Sequence, residues 1–237
     1  MGVLKRRFRK EQIGVYPEGL RSKLHSTRVI LGEKGAGFFL FRVLPWSLRR
    51  DYSIFGQSLE RLVPFPPPPF PFVLRPAAKE DVQAILSLRK GYYTKETLLR
   101  RLDGGQMGFL GWSGEKLVYI HWMFAGSFDV PYLHGRLVLG PNDVYADEIF
   151  THPGFRRSGV YAHSSFMIRR TVKEKGFRRL FCAVASWNDV PGRNMIRSGM
   201  TEVARLRREK LPVFGKWKWS GDVEVRDDGS IAFQALR

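Results

Sequence analysis

The sequence DEIFTHPGFRRSGV, residues 147–160, joins a predicted strand to a predicted helix through a short basic turn. Pro153-Gly154 ends the strand, and the helix is predicted to begin at about Gly159. The first amides of a helix have no acceptors within the helix and carry the positive end of its dipole, so they attract anions. Arg156 and Arg157 place two further positive charges beside those amides. The segment therefore predicts a phosphate-binding turn.

The residues on either side of this turn also alternate between strand and helix patterns. Upstream we predict a strand at 72–75, helices at 79–89 and 95–102, and a hairpin over 107–124. Downstream we predict a strand at 144–151, a helix at 159–175, a strand at 179–185, a helix at 190–198 and a strand at 202–208. Residues 125–142, rich in Gly and Pro, are expected to form a long loop or an irregular insertion. These elements predict an α/β (α+β) fold with one mixed central sheet flanked by helices.

Four regions follow one another along the chain. The first is a basic extension in which Arg28–Leu31 and Phe38–Phe41 predict a β-hairpin. The second, PFPPPPFP, is expected to be an extended polyproline II spacer because proline lacks the N–H and fixes φ, although it could instead be a ligand for an SH3-type domain. The predicted boundaries are 1–63 for the extension, 64–71 for the spacer, 72–211 for the main domain and 212–237 for strands that complete or extend the sheet.

Composition and charge exclude several classes of protein. The 237 residues include one cysteine, Cys182, so a disulfide framework and a four-cysteine zinc site are excluded, and no metal is expected. No apolar run approaches the roughly 18 residues of a membrane span, and the N-terminus lacks the pattern of a secretory signal. We therefore expect a cytoplasmic protein. The net charge of +18 indicates an acidic partner, unless it only keeps the surface soluble.

Two motifs resemble those of the GNAT (N-acetyltransferase) superfamily. The run Arg156–Tyr161 is similar to its acyl-CoA loop, Q/R-x-x-G-x-G/A, although Tyr161 replaces the usual small residue. Asn188 and Gly199 keep the spacing of the family's N-x-x-A-x-x-x-Y-x-x-x-G-F, with Met195 in place of the tyrosine. Strand, turn, helix, strand, Asn and Gly occur in the family's order over residues 72–211.

The resemblance implies acyl transfer from acetyl-CoA, or another acyl-CoA, to an amine acceptor. It implies that the backbone of the strand before the turn binds the pantetheine arm and the thioester carbonyl, that Asn188 binds the arm from the next strand, and that the turn binds the pyrophosphate. The predicted cofactor-binding residues are Ile149, Phe150, Thr151, Arg156, Arg157, Ser158, Gly159, Val160, Tyr161 and Asn188.

The resemblance also suggests a general base at Asp147 or Glu148. Successive side chains of a strand point to opposite faces, so we expect only one of them to face the acceptor cleft; we favour Asp147 for that role and Glu148 for packing or a helix contact. Both carboxylates could instead pair with nearby arginines, and an acceptor amine of low pKa would need no base. Since methionine cannot donate a proton, the departing thiolate would rely on Tyr161, on water or on no acid.

Three other functions remain open on the sequence alone. An acidic acyl carrier protein could replace CoA as the donor, steered by the positive charge. The protein could bind acyl-CoA without catalysis. It could also bind nucleic acid through Trp217 and Trp219, which alternate with lysines, although we favour a sheet face or a homodimer contact for these tryptophans. The acceptor cleft is expected to involve residues 79–102 and 125–142, whose composition does not name a substrate.

Overall fold

The structure, a computed structural model, describes residues 49–130, 135–186, 188–210, 217–221, 224–225 and 230–232, together with Ala36. The two runs predicted to form an N-terminal hairpin, Arg28–Leu31 and Phe38–Phe41, lie outside the described residues. No helix in the described part of the chain is both long and apolar enough to cross a membrane.

The described elements alternate along the chain much as the sequence predicts. The strands are β1 Arg49–Ser58, β2 Val73–Pro76, β3 Met107–Ser113, β4 Lys116–Ala125, β5 Ser127–Val130, β6 Gly135–Val138, β7 Asp143–Thr151, β8 Arg179–Ala185, β9 Thr201–Lys210, β10 Trp217–Gly221, β11 Glu224–Val225 and β12 Ile231–Ala232. The helices are α1 Val82–Leu88, α2 Lys95–Asp103, α3 Val160–Glu174 and α4 Asp189–Arg197, with 3-10 turns at Lys79–Asp81 and Pro153–Phe155.

A mixed sheet of eight strands forms the centre of the fold, in the order β10-β9-β1-β8-β7-β4-β3-β2. Its neighbouring strands pair antiparallel except for β7 and β8, which pair parallel. Helices α1 and α2 pack on one face, here called the α1–α2 face, and helices α3 and α4 pack on the other, the α3–α4 face. The predicted mixed α/β fold with a central sheet flanked by helices is confirmed.

Residues 125–142 differ from the prediction, because they contain strands β5 and β6 rather than only a loop. These strands belong to a second sheet in the order β11-β12-β6-β5, in which β12 pairs parallel with β6. Phe128, Leu137 and Ile231 from this sheet are buried. The central sheet that we predicted is therefore accompanied by a second, smaller sheet, in which β5 and β6 pair with each other as a hairpin and β12, more than 90 residues away along the chain, pairs with β6.

Strand β1 corrects the predicted boundary between the extension 1–63 and the main domain. It lies between β8 and β9 and pairs antiparallel with both of them. Tyr52, Ile54 and Phe55 are buried, so β1 contributes to the core on both faces of the sheet. Arg49–Ser58 is therefore a central strand of the main fold rather than part of an appended segment.

The proline-rich segment 64–71 lies outside helices and strands, as proline requires, and it packs against the main fold. The Phe70 ring contacts the Phe155 ring edge-on, with centroids 5.4 Å apart. The carbonyl oxygen of Phe65 lies 3.0 Å from Nδ1 of His163 on α3. The segment thus runs from the end of β1 across α3 and the predicted phosphate turn to β2.

Candidate functional site

Strands β7 and β8 separate part of the way along their length. They pair only where Asp143–Tyr145 lies beside Arg179–Phe181, although β7 continues to Thr151 and β8 to Ala185. Where they part, the Tyr145 hydroxyl accepts a hydrogen bond from the N–H of Ala183 at 3.0 Å. A side chain therefore bridges the two strands at the point where backbone pairing ends, and a gap opens beyond it.

A cavity of about 1000 Å³ occupies this gap. Its walls are residues 146–151 of β7, residues 182–185 of β8, the basic turn, the first turn of α3, and α4. Most of the residues predicted to form the site lie in these walls, namely Asp147, Glu148, Ile149, Phe150, Thr151, Arg156, Arg157, Gly159, Tyr161 and Asn188. Ser158 and Val160 are not part of the lining: the Ser158 hydroxyl donates to the Phe155 carbonyl at 2.6 Å, and Val160 is buried in the core.

The basic turn leads into α3 and contributes to the cavity wall. Arg157 and Gly159 both have positive φ, 64° and 84°, and a turn of this kind forms a concave row of N–H groups. The first hydrogen bond of α3 joins the N–H of His163 to the carbonyl of Gly159 at 3.0 Å, so the amides of residues 160–162 precede the helical ladder. With the exposed side chains of Arg156 and Arg157, the turn has the chemistry of an anion site.

A bulge in β7 determines where the two candidate carboxylates point. Asp147 pairs with Trp122 of β4, and Phe150 pairs with Ile120. Two residues of β7, at positions 148 and 149, therefore lie opposite one residue of β4, at position 121. Glu148 has a φ of 48°, in the left-handed region. Because the bulge interrupts strand alternation, both carboxylates lie on the α1–α2 face. Our prediction that they point to opposite faces was therefore wrong.

Glu148 is held in a buried ion pair with Arg101 of α2. The guanidinium donates to both carboxylate oxygens, at 2.7 and 2.8 Å, and the Tyr93 hydroxyl donates to the same carboxylate. The two charged side chains are 3% and 4% exposed, so the pair is shielded from water. Glu148 thus makes the helix contact that we predicted for it.

Asp147 differs from its neighbour in its electrostatic setting. Burial raises the pKa of its carboxyl well above the usual range, and the negative charge of Glu148 raises this pKa further. A carboxyl with a raised pKa is a stronger base when it is ionised than an exposed aspartate. Asp147 lines the cavity and has the electrostatic setting expected of a general base.

Tyr161 and Met195 meet at the cavity wall formed by α3 and α4. The Tyr161 hydroxyl donates to Sδ of Met195 at 3.6 Å, and burial raises the pKa of this tyrosine to about 12. Its phenol therefore keeps its proton near neutral pH. Burial also raises the pKa of Cys182, which lines the same cavity, to about 12, so its thiol stays protonated and packs as a small apolar side chain.

Several side chains around the site were not predicted from the sequence. Arg101 and Tyr93 contact Glu148, while Arg89 and Tyr92 lie in the connection between α1 and α2. Arg101 could have been found, since it follows the buried residues Thr97 and Leu98 by four and three positions and therefore shares their helix face. A charged residue on an apolar helix face suggests a buried partner.

Comparisons with known proteins find similarity only at the level of structure. No family model and no curated protein matches the chain. A Drosophila protein of known structure is 16% identical, with a TM-score of 0.48, over 71% of this chain and 56% of that one. A protein of Novosphingobium aromaticivorans assigned to the GNAT family of acetyltransferases is 12% identical, with a TM-score of 0.48, over 67% of this chain and 62% of that one.

A third structure, a predicted acetyltransferase from Clostridium acetobutylicum solved with acetyl-CoA, is 14% identical to this chain. Its TM-score is 0.42, and the match covers 56% of this chain and 92% of that one. The chain thus spans less than two thirds of the length of the first two structures. These are similarities of fold at low sequence identity, and the function is inferred from the geometry of the site itself.

Proposed function

We propose that the protein is an N-acyltransferase that moves an acetyl or other short acyl group from acyl-CoA to an amine. The observation that supports this most directly is the cavity between the separated parts of β7 and β8. Its walls include an anion-binding turn and a buried carboxyl with a raised pKa. Acyl transfer from acyl-CoA uses both, because the turn can bind the pyrophosphate and the carboxyl can accept the proton that the acceptor amine loses.

The residues of the turn fit a pyrophosphate. Amides of residues 160–162 and the guanidinium groups of Arg156 and Arg157 provide donors for several phosphate oxygens. Gly159, at a φ of 84°, starts α3 in a conformation that other residues adopt only with strain. The Ile149–Thr151 part of β7 lies beyond its pairing with β8, and Asn188 stands on the opposite wall, so an extended arm can lie between them.

In acyl transfer a carbon–nitrogen bond forms, a carbon–sulfur bond breaks, and the amine gives up a proton. We assign the acceptance of that proton to Asp147, whose basicity is increased by its burial. We assign to the Tyr161 hydroxyl a hydrogen bond to the departing sulfur, because it lines the cavity and already donates to the weakly accepting sulfur of Met195; the thiolate leaves without taking the phenol proton. The thioester itself supplies the activated acyl group.

Ligand binding tests this proposal even though the acceptor is unidentified. A ligand that binds only the native state raises the melting temperature in a concentration-dependent way. We expect CoA and acetyl-CoA to stabilise the protein and RNA to leave the melting temperature unchanged. Replacing Arg156 by Glu puts a negative charge beside the pyrophosphate and should weaken CoA binding about tenfold or more. Arg170→Glu makes the same charge change on an exposed part of α3 and is the matched control.

The outcomes separate the alternatives. Equal loss of CoA affinity in both variants would indicate general electrostatic attraction rather than a site at the turn. Unchanged affinity in Arg156→Glu would contradict the proposed location of the pyrophosphate. Stabilisation by RNA without any response to CoA would favour nucleic-acid binding, and a response confined to an acylated carrier protein would identify the carrier as the donor.

A further inference from the structure

Arg89 packs over two aromatic rings on the α1–α2 face. Its guanidinium carbon lies 3.9 Å from the ring centroid of Tyr92 and 4.4 Å from that of Phe150. Arg89 caps the C-terminus of α1, and its carbonyl accepts the N–H of Tyr92 at 3.0 Å. Stacking of this kind fixes the plane of a guanidinium and leaves its N–H edge able to donate in that plane.

The two arginines on this face differ in their charge partners. Both terminal nitrogens of Arg101 donate to the carboxylate of Glu148, so the positive charge of Arg101 is compensated by that carboxylate. Among the ion pairs of the described residues, none involves Arg89. Nε of Arg89 is buried and has no hydrogen-bond partner in the part of the chain that the structure describes. Arg89 is thus an oriented cation whose charge has no carboxylate partner in that part of the protein.

Arg89 does not line the cavity itself but packs on a residue of its wall. Phe150, on which it stacks, lines the cavity and follows Asp147 by three residues on β7. Burial raises the pKa of Tyr92 and the charge of Glu148 raises this pKa further, whereas the charge of Arg89 and a hydrogen bond from its side chain lower it, so Tyr92 and Arg89 both lie near this carboxylate. The guanidinium therefore stands on the same face of the sheet as the carboxyl to which we assign the acceptor's proton.

We propose that Arg89 binds a carboxylate of the acceptor, which makes the acceptor a small amine that also carries a carboxylate group. A planar carboxylate matches the fork of N–H donors on a guanidinium, and this geometry gives the strongest pairing available to arginine. The assignment rests on the proposed function, because it names the substrate class of the same site.

Binding of reaction products tests the assignment without requiring turnover. The probes are the N-acetylated ω-amino acids from N-acetylglycine to N-acetyl-6-aminohexanoate, each paired with its carboxamide, titrated by calorimetry with and without saturating CoA. We expect at least one acid to bind more tightly than its amide, by about 10- to 100-fold. Arg89→Gln should remove this preference while the affinity of the amide stays the same. Arg89→Lys should retain part of it, since lysine keeps the charge but not the fork.

The matched control is Lys90→Gln, which removes the same charge from the next residue, an exposed one. The acid preference should persist in this variant. The proposal is overturned if no acid binds better than its amide, if Arg89→Gln weakens acid and amide equally, or if O-phosphoethanolamine binds more tightly than every acid through Arg89. Binding of CoA in the same titrations reports on the proposed function separately, so the failure of one proposal can be distinguished from the failure of the other.

Discussion

The two halves of β7 carry out different tasks. Residues 143–146 are buried; residues 144–146 pair with β4 and residues 143–145 pair with β8. Residues 147–151 are half-buried and no longer pair with β8. The first half holds the sheet together, and the second half contains a bulge and lines the cavity. The difference shows that the site begins where the hydrogen bonding between two parallel neighbours ends.

Each half also contains an ion pair that ties β7 to another element. In the first half Asp143 pairs with Arg179 of β8, at 2.6 and 2.7 Å, and accepts the N–H of Gly140. In the second half Glu148 pairs with Arg101 of α2. The side chain of Arg179 is 27% exposed and that of Arg101 only 4%. The charge of Arg101 therefore depends more completely on its carboxylate partner, because water cannot replace it. Substitutions in the two halves of β7 should therefore differ in their effects.

The largest effect is expected at Asp147. Asp147→Asn removes the proposed base while keeping the size of the side chain, so kcat should fall about 10²- to 10⁴-fold with CoA affinity unchanged. Steady-state kinetics and calorimetry measure the two quantities. Asp103→Asn, on an exposed part of α2, is the control and should leave both unchanged. If the kcat of Asp147→Asn is within a few-fold of the wild type, the protein does not use this carboxyl as a base.

The same variant should change how stability depends on pH. Burial raises the pKa of Asp147 in the folded protein above the value of about 4 expected in the unfolded chain. The folded state then binds this proton more tightly, so the contribution of Asp147 to the free energy of unfolding decreases as pH rises from about 4 through the folded pKa. Asp147→Asn should remove that decrease in urea titrations at several pH values; an identical pH profile would contradict the burial of this group.

The second largest effect is expected at Glu148. Glu148→Gln leaves the buried charge of Arg101 without its counter-charge, and breaking a buried pair in this way costs about 3–5 kcal/mol. Urea denaturation measures the loss. Glu202→Gln breaks an exposed pair with Arg205 and should cost about 1 kcal/mol or less. Equal losses in the two variants would show that the Arg101 pair is not shielded from water.

The smallest effect is expected in the first half of β7, residues 143–146. Asp143→Asn removes a carboxylate that bonds Arg179 and the N–H of Gly140. Because Arg179 can turn toward water, the loss of stability should be about 1–3 kcal/mol, and CoA binding should not change. A larger loss than in Glu148→Gln, or a loss of CoA affinity, would mean that the two halves of β7 are not independent.

Local features of the sequence predicted much of the fold and part of the site. The strand, basic turn and helix at residues 143–174 could be predicted because proline, glycine and apolar spacing act within a few residues. Ten of the twelve predicted site residues line the cavity for the same reason, since they lie on one continuous strand, turn and helix or directly after the next strand. Their roles in acyl transfer remain predictions.

Only the tertiary structure determined how distant segments complete the site. The insertion of β1 between β8 and β9, the second sheet, and the positions of Arg89 and Arg101 over β7 all depend on contacts between residues far apart in sequence. The bulge at Glu148 also depends on distant contacts. Arg101, the buried partner of Glu148, lies on α2, and the register of β7 at the bulge is set by its pairing with β4. Sequence patterns report which backbone conformations are locally favourable, whereas these features depend on which surfaces the packed chain brings together.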